Sequence, residues 1–233
     1  SNFTLPPPYV FGFDQTKFPS WRSQQDISVR RALWGFENGY RIVAECQPTG
    51  KGKTLLAQAV GKLLGGRTVI LTRRRGLQTQ IARDFEVTDV RGQGSYMCIF
   101  PGVELGTTVD NGPCHAGIEC EFKTGGCPYY DALAESKNEA NKVIVTNYAF
   151  WFTRAKLGEY MGKVDLLVCD EAHGILDDLS NFLTVELQRA DVERIGVKWP
   201  EYAVTMEQWI DWARSEGENG VKTVIEHLKY SAK

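Results

Sequence analysis

The sequence lacks any long uninterrupted apolar stretch. None of its apolar runs approaches the roughly 18 residues that would suggest a membrane-spanning helix, and its first residues, beginning Ser1-Asn2, do not form a signal-peptide pattern. Both absences argue against a membrane protein and a secreted protein. We therefore expect a cytoplasmic, nucleoid or nuclear protein that has no membrane partner.

An excess of charge of one sign is also missing. The 27 Lys and Arg residues nearly balance the 29 Asp and Glu residues, which leaves a formal net charge of -2. Overall charge therefore neither indicates nor excludes a nucleic-acid partner. A basic binding face has to be local, and Arg73-Arg74-Arg75 is the obvious local cluster.

A closely spaced cysteine pair of the type found in zinc knuckles is absent from this chain of six cysteines. In a reducing compartment these cysteines are not expected to form disulfides. Cys46 and Cys169 each end an apolar run, so we predict that both are buried in strands as small apolar side chains.

What is present includes a glycine-rich loop at 47–54, QPTGKGKT, which follows the apolar residues Ile42 to Ala44 and precedes a helical run at Leu55 to Leu64. The loop is close to the pattern G-x-x-x-x-G-K-[ST], in which backbone N–H groups and a helix N-terminus hold phosphates. Lys53 would contact the β and γ phosphates, and Thr54 would bind Mg2+. Gln47 departs from the pattern, which has a small residue there. An ordinary glycine-rich turn is the alternative interpretation.

Strand and helix patterns alternate through most of the chain, which predicts an α/β fold with a parallel sheet. Apart from Ile42 to Ala44, the predicted strands are 68–72, 142–148 and 164–169, and the predicted helices are 21–34, 55–64, 77–85 and 130–140. Glycines at 65 and 66 are expected to end the second helix. Phe150, Trp151 and Phe152 are expected to pack in or beside the core.

Two adjacent carboxylates follow the last predicted strand, in the sequence Asp170-Glu171-Ala172-His173. Asp170 would hold Mg2+, and Glu171 would orient or deprotonate the water that attacks the γ phosphate. Neighbouring buried acids are costly unless a cation accompanies them. The alternative is a capped helix start on the surface. We expect both carboxylates to converge with Lys53 and Thr54 from neighbouring strands.

Two further groups are candidates for ligand recognition. Arg22 and Gln25 lie at the start of the first predicted helix, where a Gln amide could recognise adenine, although such a pair is also common on helix surfaces. Thr72, Arg73 and Arg74 end a predicted strand, where a phosphate backbone could bind. An exposed basic turn is the alternative there.

Residues 91–128 interrupt the α/β alternation and contain Cys98, Cys114, Cys120 and Cys127, separated by 15, 5 and 6 residues. Four thiolates can surround one metal centre and stabilise a segment that has few apolar residues. The irregular spacing favours an iron-sulfur cluster over zinc, although zinc and unligated thiols stay open. From Ile175 onward the chain becomes acidic and helical, with a break at Trp199-Pro200.

In this order, these motifs resemble those of the iron-sulfur superfamily 2 DNA helicases typified by XPD and DinG. The segment 48–54 is similar to that family's PTGxGKT, and the residues around Tyr96 and Cys98, and then Cys127-Pro128-Tyr129, resemble the first and last cluster cysteines. The resemblance covers residues 18 to 173.

The resemblance implies an ATP- and Mg2+-dependent helicase that moves 5′ to 3′ on single-stranded or forked DNA and carries a [4Fe-4S] cluster. It implies a RecA-like domain at 1–90 and 129–176, a cluster insertion at 91–128 and the start of a helical arch at 177–233. It also implies that activity requires a second RecA-like domain, which has no counterpart in this sequence, and that His173 couples nucleotide state to the motor. The implied site residues are, for nucleotide, Arg22, Gln25, Thr49, Gly50, Lys51, Gly52, Lys53 and Thr54, and, for nucleic acid, Thr72, Arg73, Arg74, Gln80 and Asn147.

Two other functions are compatible with the same residues. One is a nucleic-acid-binding module whose nucleotide site is vestigial. The other is a different P-loop NTPase with a zinc-bound insertion, which would lack the salt-dependent binding of single strands expected of a helicase.

Overall fold

The computed structural model describes residues 4–48, 50–156, 161–184, 188–194, 196–201, 203–215 and 222. The chain forms two compact units, Ser1–Leu179 and Ser180–Lys233. Nowhere in the described ranges does a helix combine the length and the apolar character that crossing a membrane requires.

A four-stranded parallel sheet forms the centre of the first unit. Its strands are β1 (Thr68–Thr72), β2 (Thr88–Asp89), β3 (Val143–Asn147) and β4 (Leu166–Cys169), in the order β2-β3-β1-β4. In register, Ile70 lies opposite Val145 on one side and Val168 on the other. All five residues of β1 are buried, as expected of a central strand rich in β-branched residues.

Helices connect and cover these strands. They are α1 (Gln25–Glu37), α2 (Lys53–Leu64), α3 (Arg75–Phe85), α4 (Pro128–Lys137) and α5 (Tyr148–Lys156), followed by α6 (Ile175–Leu183). Gly65 ends α2 in the left-handed conformation, with φ of 71°, as predicted. Gly61 allows α2 to approach the sheet, because a Cβ there would lie 2.2 Å from Thr68 Oγ1.

Apolar side chains fill both faces of the sheet, because alternate residues of a strand point to opposite sides. Val69 and Leu71 of β1 pack with Ile144 and Tyr148 on one face, whereas Ile70 packs with Ile81 of α3 on the other. A further cluster joins α1 to α2 and to the N-terminal segment: Leu5, Phe13, Val29, Ala32, Leu55, Leu56, Ala59 and Val60. Burial of each large apolar side chain contributes about 1.5–3 kcal/mol before the entropy cost is subtracted. The predicted α/β class with a parallel sheet is confirmed.

Residues Ile42 to Ala44 do not form the predicted strand. Ile42 is 85% exposed and no described strand pairs with this segment. Only three apolar residues stand between Arg41 and Glu45, and Glu45 hydrogen-bonds to Ser28 of α1 instead of entering a ladder. The prediction of a buried Cys46 is wrong for the same reason, since Cys46 is exposed. Cys169 is only half-buried because β4 has no described partner on its outer side.

The second unit contains α7 (Arg189–Arg194) and α8 (Met206–Ser215), separated by the predicted break at Trp199-Pro200. Val192 and Val197 are buried and pack against Trp199 and Trp212. The indole rings of Trp199 and Trp212 lie 5.8 Å apart, so these aromatics belong to a small core. The apolar residues Val185 and Leu187, and the segment from Val221 to Leu228 apart from Lys222, lie outside the described residues.

Candidate nucleotide and nucleic-acid site

Parallel pairing brings the ends of three strands to one edge of the sheet. β1 ends at Thr72, β3 at Asn147 and β4 at Cys169, and the pairing sets Thr72 beside Asn147 and Leu71 beside Cys169. Ligands of open α/β sheets bind at this carboxyl edge. Asp170 and Glu171 follow β4 directly, and the backbone N–H of Asp170 donates a hydrogen bond of 3.0 Å to the carbonyl of Leu71.

The glycine-rich loop adopts backbone angles that favour glycine. Gly50 and Gly52 have φ of 82° and 75°, and Gly52 is the N-terminal cap of α2, which begins at Lys53. A Cβ at Gly52 would lie 2.6 Å from Gln25 Nε2, so the close approach of α1 also requires glycine. Thr54 is half-buried in the first turn of α2, whereas Thr49 lies outside the described residues.

Arg22 and Gln25 hold the backbone of this loop. Gln25, which is buried, donates from Nε2 to the carbonyl of Lys51 at 2.6 Å and accepts from the backbone N–H of Arg22 at 2.7 Å. Arg22 Nη1 donates to the carbonyl of Gly50 at 2.7 Å. Sequence reasoning selected both residues for adenine recognition but missed these contacts, because the loop is 26 residues beyond Gln25.

Gln47 also ties the loop to α1. Its Nε2 donates to Ser28 Oγ at 2.6 Å and to Glu45 Oε1 at 3.0 Å, and Ser28 Oγ donates to the same Glu45 oxygen at 2.6 Å. The residue that departs from the loop pattern therefore has a structural partner of its own. Nothing in the local sequence indicates this network, since Ser28 belongs to a separate helix.

Lys53 and Glu171 form the contact that joins the loop to the acidic pair. Lys53 Nζ lies 3.5 Å from Glu171 Oε1, with the two side chains 34% and 43% exposed. An ion pair this accessible to water adds little to stability. His173 Nδ1 lies 3.4 Å from the other carboxylate oxygen of Glu171, and Glu171 has a φ of 53°. Residues 118 positions apart in the sequence thus converge at one edge of the sheet. The prediction that Lys53 follows a strand is wrong, because no described strand precedes its loop.

Asp170 lies in the less hydrated part of this edge. Burial raises the pKa of its carboxyl group, the charge of Glu171 raises it further, and Lys53 partly offsets both effects. The Tyr148 hydroxyl donates a hydrogen bond of 2.8 Å to the backbone carbonyl of Asp170. A carboxylate that is disfavoured by burial and by a second acid is one that a divalent cation would stabilise.

Replacing Asp170 by Asn is expected to raise the midpoint of thermal unfolding at pH 7 by about 2 °C in the absence of Mg2+. The pKa of Asp170 is raised in the folded protein, so the folded state favours the protonated carboxyl group. The free energy of unfolding that this group contributes is therefore fully present at pH values below its unfolded pKa, and it is lost as pH rises through its folded pKa. The difference between the two proteins should therefore disappear near pH 3. Thermal unfolding followed by circular dichroism measures it, with the exposed Asp211→Asn as a neutral control. A lower midpoint for Asp170→Asn at pH 7 would mean that its charge is already compensated.

The residues predicted to bind nucleic acid have different surroundings. Thr72 is buried and donates to the carbonyl of Arg74 at 3.1 Å, and Asn147 accepts from the backbone N–H of Phe150 at 2.9 Å. Arg73 contacts Asp178 at 2.8 and 3.0 Å, and these hydrogen bonds raise the pKa of Arg73. Arg74 and Gln80 are exposed. Of the predicted cations, Arg74 is the better placed to meet a phosphate backbone, because Asp178 already occupies the guanidinium of Arg73.

The four cysteines of 91–128 belong to one region of the first unit. All have free thiols, Cys127 is buried, and Cys98, Cys114 and Cys120 are half-buried. Burial raises the pKa of Cys114, Lys123 lowers it, and Cys120, Cys98 and Cys127 each raise it. Their chemistry fits an iron-sulfur cluster or zinc. Within the described ranges, however, no three His, Cys, Asp or Glu side chains are close enough together to hold a metal ion.

Comparison with known proteins finds a matching family and matching solved structures, two of which are given below. Residues 18–195 match the family described as "Type III restriction enzyme, res subunit". A solved chain named "XPD_Helicase" is 20% identical with a TM-score of 0.51, and covers 75% of this chain and 36% of that one. Another, named "Truncated XPD", is 21% identical with a TM-score of 0.45, and covers 72% of this chain and 58% of that one. No curated protein matched the sequence.

These findings confirm the predicted fold. The parallel sheet with its flanking helices is a RecA-like fold and matches the fold of the solved chain named "XPD_Helicase". The chain spans about a third of the length of the first solved chain and just under three fifths of the second. The predicted domain boundaries at 90, 128 and 176 stay predictions.

Proposed function

The chain belongs to the family described as "Type III restriction enzyme, res subunit", and on that premise we propose that it is the first motor domain of an ATP-dependent helicase that moves 5′ to 3′ on single-stranded DNA. The observation that carries the proposal is the distance of 3.5 Å between Lys53 Nζ and Glu171 Oε1. It joins the phosphate-binding loop to the acidic pair at the edge of the sheet where ligands bind.

ATP would bind in front of the N-terminus of α2. The backbone N–H groups of Gly50 to Lys53 and the positive end of the helix dipole would hold its phosphates, and Lys53 would contact the β and γ phosphates. Arg22 and Gln25 support this geometry by fixing the carbonyls of Gly50 and Lys51. The loop is thus held in position before the nucleotide arrives, which lowers the entropy cost of binding.

Asp170 and Thr54 would hold Mg2+, which would neutralise charge on the β and γ phosphates. Glu171 would then orient the attacking water. For this step the contact between Lys53 and Glu171 has to open, because Lys53 turns to the phosphates and leaves the carboxylate free. His173 Nδ1 lies 3.4 Å from Glu171, so a movement of the Glu171 carboxylate would change this contact. His173 would in this way couple the nucleotide state to other parts of the motor.

Cys98, Cys114, Cys120 and Cys127 would hold a [4Fe-4S] cluster, with zinc as the alternative occupant. A metal centre bound by four thiolates would give 91–128 a covalent core. The structure of residues 91–127, all of which are described, supports this role for a metal centre, since their only helical elements are three short 3-10 turns at Gln93–Ser95, Val109–Asn111 and Glu121–Thr124. Gly112 leaves room for one ligand, because a Cβ there would lie 2.9 Å from Cys98 Sγ.

Single-stranded DNA would cross the carboxyl edge of the sheet beside Arg74, Gln80 and Asn147. Replacing Arg74 by Ala is expected to weaken binding of a single-stranded oligonucleotide about fivefold at low salt and to reduce the salt dependence by about 0.7 in the logarithmic slope, as the loss of one phosphate contact predicts. Fluorescence anisotropy at several salt concentrations measures both quantities.

The control for this measurement is Arg214→Ala, which removes an exposed arginine from α8 in the second unit. Equal losses for both variants would show that binding follows net charge alone. Salt-independent binding, or none, would contradict the helicase proposal and favour a P-loop NTPase of another kind.

Efficient unwinding also requires a second RecA-like domain, which would supply an arginine to the transition state. Without that arginine, turnover of ATP falls by about 10^3- to 10^5-fold in related NTPases. A polypeptide limited to residues 1–233 is therefore expected to bind nucleotide and DNA but not to unwind a duplex unless such a domain is supplied.

A further inference from the structure

Arg73 connects the carboxyl edge of the sheet to α6, the helix that follows the acidic pair. It comes directly after β1, whose last residue, Thr72, lies beside Asn147 of β3. Arg73 Nε lies 2.8 Å from Asp178 Oδ2, and Arg73 Nη2 donates a hydrogen bond of 3.0 Å to Asp178 Oδ1. Two such contacts between a planar guanidinium group and a carboxylate fix the orientation of both groups.

The third nitrogen of this guanidinium group packs on the same segment. Gly174 is buried and leaves no room for a side chain, because a Cβ there would collide with Arg73 Nη1. All three nitrogens of Arg73 therefore face residues 174–178. A phosphate that accepts two parallel hydrogen bonds from this guanidinium group has to displace Asp178.

Asp178 neutralises one of three consecutive arginines. Arg74 and Arg75 are exposed, and neither forms an ion pair within the part of the chain that the structure describes. The hydrogen bond that Arg73 donates to Asp178 is the main reason why the pKa of Arg73 is raised, whereas the exposed Asp177 acts on it only through its charge. Asp178 thus determines whether this basic turn offers two cations or three.

The pair between Arg73 and Asp178 is accessible to solvent. The two side chains are 36% and 23% exposed, and an ion pair at such a surface contributes little free energy. Phosphate oxygens accept from a guanidinium group in the same two-pronged geometry as a carboxylate. A phosphodiester that reaches this edge of the sheet can therefore replace Asp178 as the partner of Arg73.

We propose that Asp178 is a positioning residue of the nucleic-acid site, which holds Arg73 while no nucleic acid is bound and releases it to a phosphate of the single strand. The inference rests on the proposed function, because it requires single-stranded DNA to cross this edge of the sheet. Binding of the strand would then exchange one anionic partner of Arg73 for another, and the cost of opening the pair with Asp178 would be subtracted from the affinity.

Removing the charge of Asp178 should therefore strengthen binding of single-stranded DNA. Asp178→Asn is expected to bind an oligothymidylate of about 20 nucleotides about fivefold more tightly than the unmodified protein, since no ion pair then has to open. Fluorescence anisotropy measures the affinity. Asp177→Asn is the matched control, because it removes the same charge from the adjacent exposed position of α6. It should change the affinity less than about twofold.

A second substitution shows whether Arg73 is the group that is released. When Arg73→Gln is already present, Asp178→Asn should give no more gain than Asp177→Asn does, because the two substitutions act on one pair. Arg73→Gln alone should reduce the salt dependence of binding by about 0.7 in the logarithmic slope, as the loss of one phosphate contact predicts. This slope decides the matter if Asp178→Asn does not fold.

Three results would overturn the inference while the unmodified protein still binds single strands in a salt-dependent manner, as the proposed function requires. Asp178→Asn could bind no more tightly than Asp177→Asn, its gain could persist in the presence of Arg73→Gln, or Arg73→Gln could leave the salt slope unchanged. The last result would mean that Asp178 keeps Arg73 in the bound state as well. If the unmodified protein binds no single strand, this inference and the proposed function both fail.

Discussion

Replacing Lys53 by Ala is expected to weaken binding of MgATP about 100-fold. Its ammonium group would make charge-assisted hydrogen bonds to the β and γ phosphates, each contributing about 1.5–3 kcal/mol, and no other lysine of the described chain approaches Glu171 within 4 Å. Stability without nucleotide should change little, because the pair with Glu171 is largely exposed. Titration with a fluorescent ATP analogue measures the affinity, and thermal unfolding measures the stability.

The matched control is Lys198→Ala, which removes a surface lysine of the second unit. It should bind nucleotide as the unmodified protein does. If Lys53→Ala bound MgATP with unchanged affinity while remaining folded, the loop at 50–54 would be an ordinary glycine-rich turn, and the motor interpretation would fail.

Replacing Cys127 by Ser is expected to reduce the iron content of anaerobically purified protein from about four atoms per chain to less than one. Cys127 is the buried member of the four, directly precedes α4 and lies in the core cluster with Tyr129. Loss of one thiolate would expose the cluster to solvent and remove the metal centre from a segment that has little other structure. Iron analysis and the visible absorbance spectrum report the result.

Cys46→Ser supplies the control, because Cys46 is an exposed thiol outside 91–128. Its iron content should equal that of the unmodified protein. Stoichiometric zinc in place of iron would assign the four cysteines to the alternative metal. Protein that contains neither metal, and in which Cys127→Ser changes nothing, would assign them as unligated thiols.

Sequence alone predicts best where local pattern and burial agree. β1 has the predicted bounds Thr68–Thr72, because five consecutive residues of strand-forming type are all buried in the centre of the sheet. The end of α2 at Gly65 was also predictable, since a left-handed cap favours glycine. In both cases the residues near in sequence determine the structure.

Sequence predicts less well where a residue depends on a distant partner. Apolar residues at 42–44 suggest a strand, yet the structure gives Ile42 no strand to pair with. Leu167 of β4 is 42% exposed for a related reason, since only one side of β4 is paired among the described residues. A strand is stabilised by its neighbours, and an apolar run does not reveal whether a neighbour exists.

In the candidate site, too, local motifs could be recognised in the sequence, whereas contacts with distant residues could not. The motifs of Lys53, Asp170 and Glu171 indicate their chemistry, and their roles stay predictions. Lys53 lies 3.5 Å from Glu171 although the predicted route was wrong, because no strand is described before the glycine-rich loop and only the acidic pair follows a strand. The residues that hold the side chains of this region in position could not be identified from the sequence. Asp178 pairs with Arg73 across 105 positions, and Ser28 holds Gln47 across 19. Such contacts leave no periodic signal in a single sequence.

Calorimetric titration of the protein with MgATP tests the convergence of Lys53 and the acidic pair most directly. One molecule of MgATP per chain should bind, and chelation of Mg2+ should weaken that binding, because Thr54 and Asp170 would then lose the cation that joins them to the phosphates. An absence of saturable binding, or binding that is unaffected by removal of Mg2+, would contradict the assignment of these residues to one magnesium-nucleotide site.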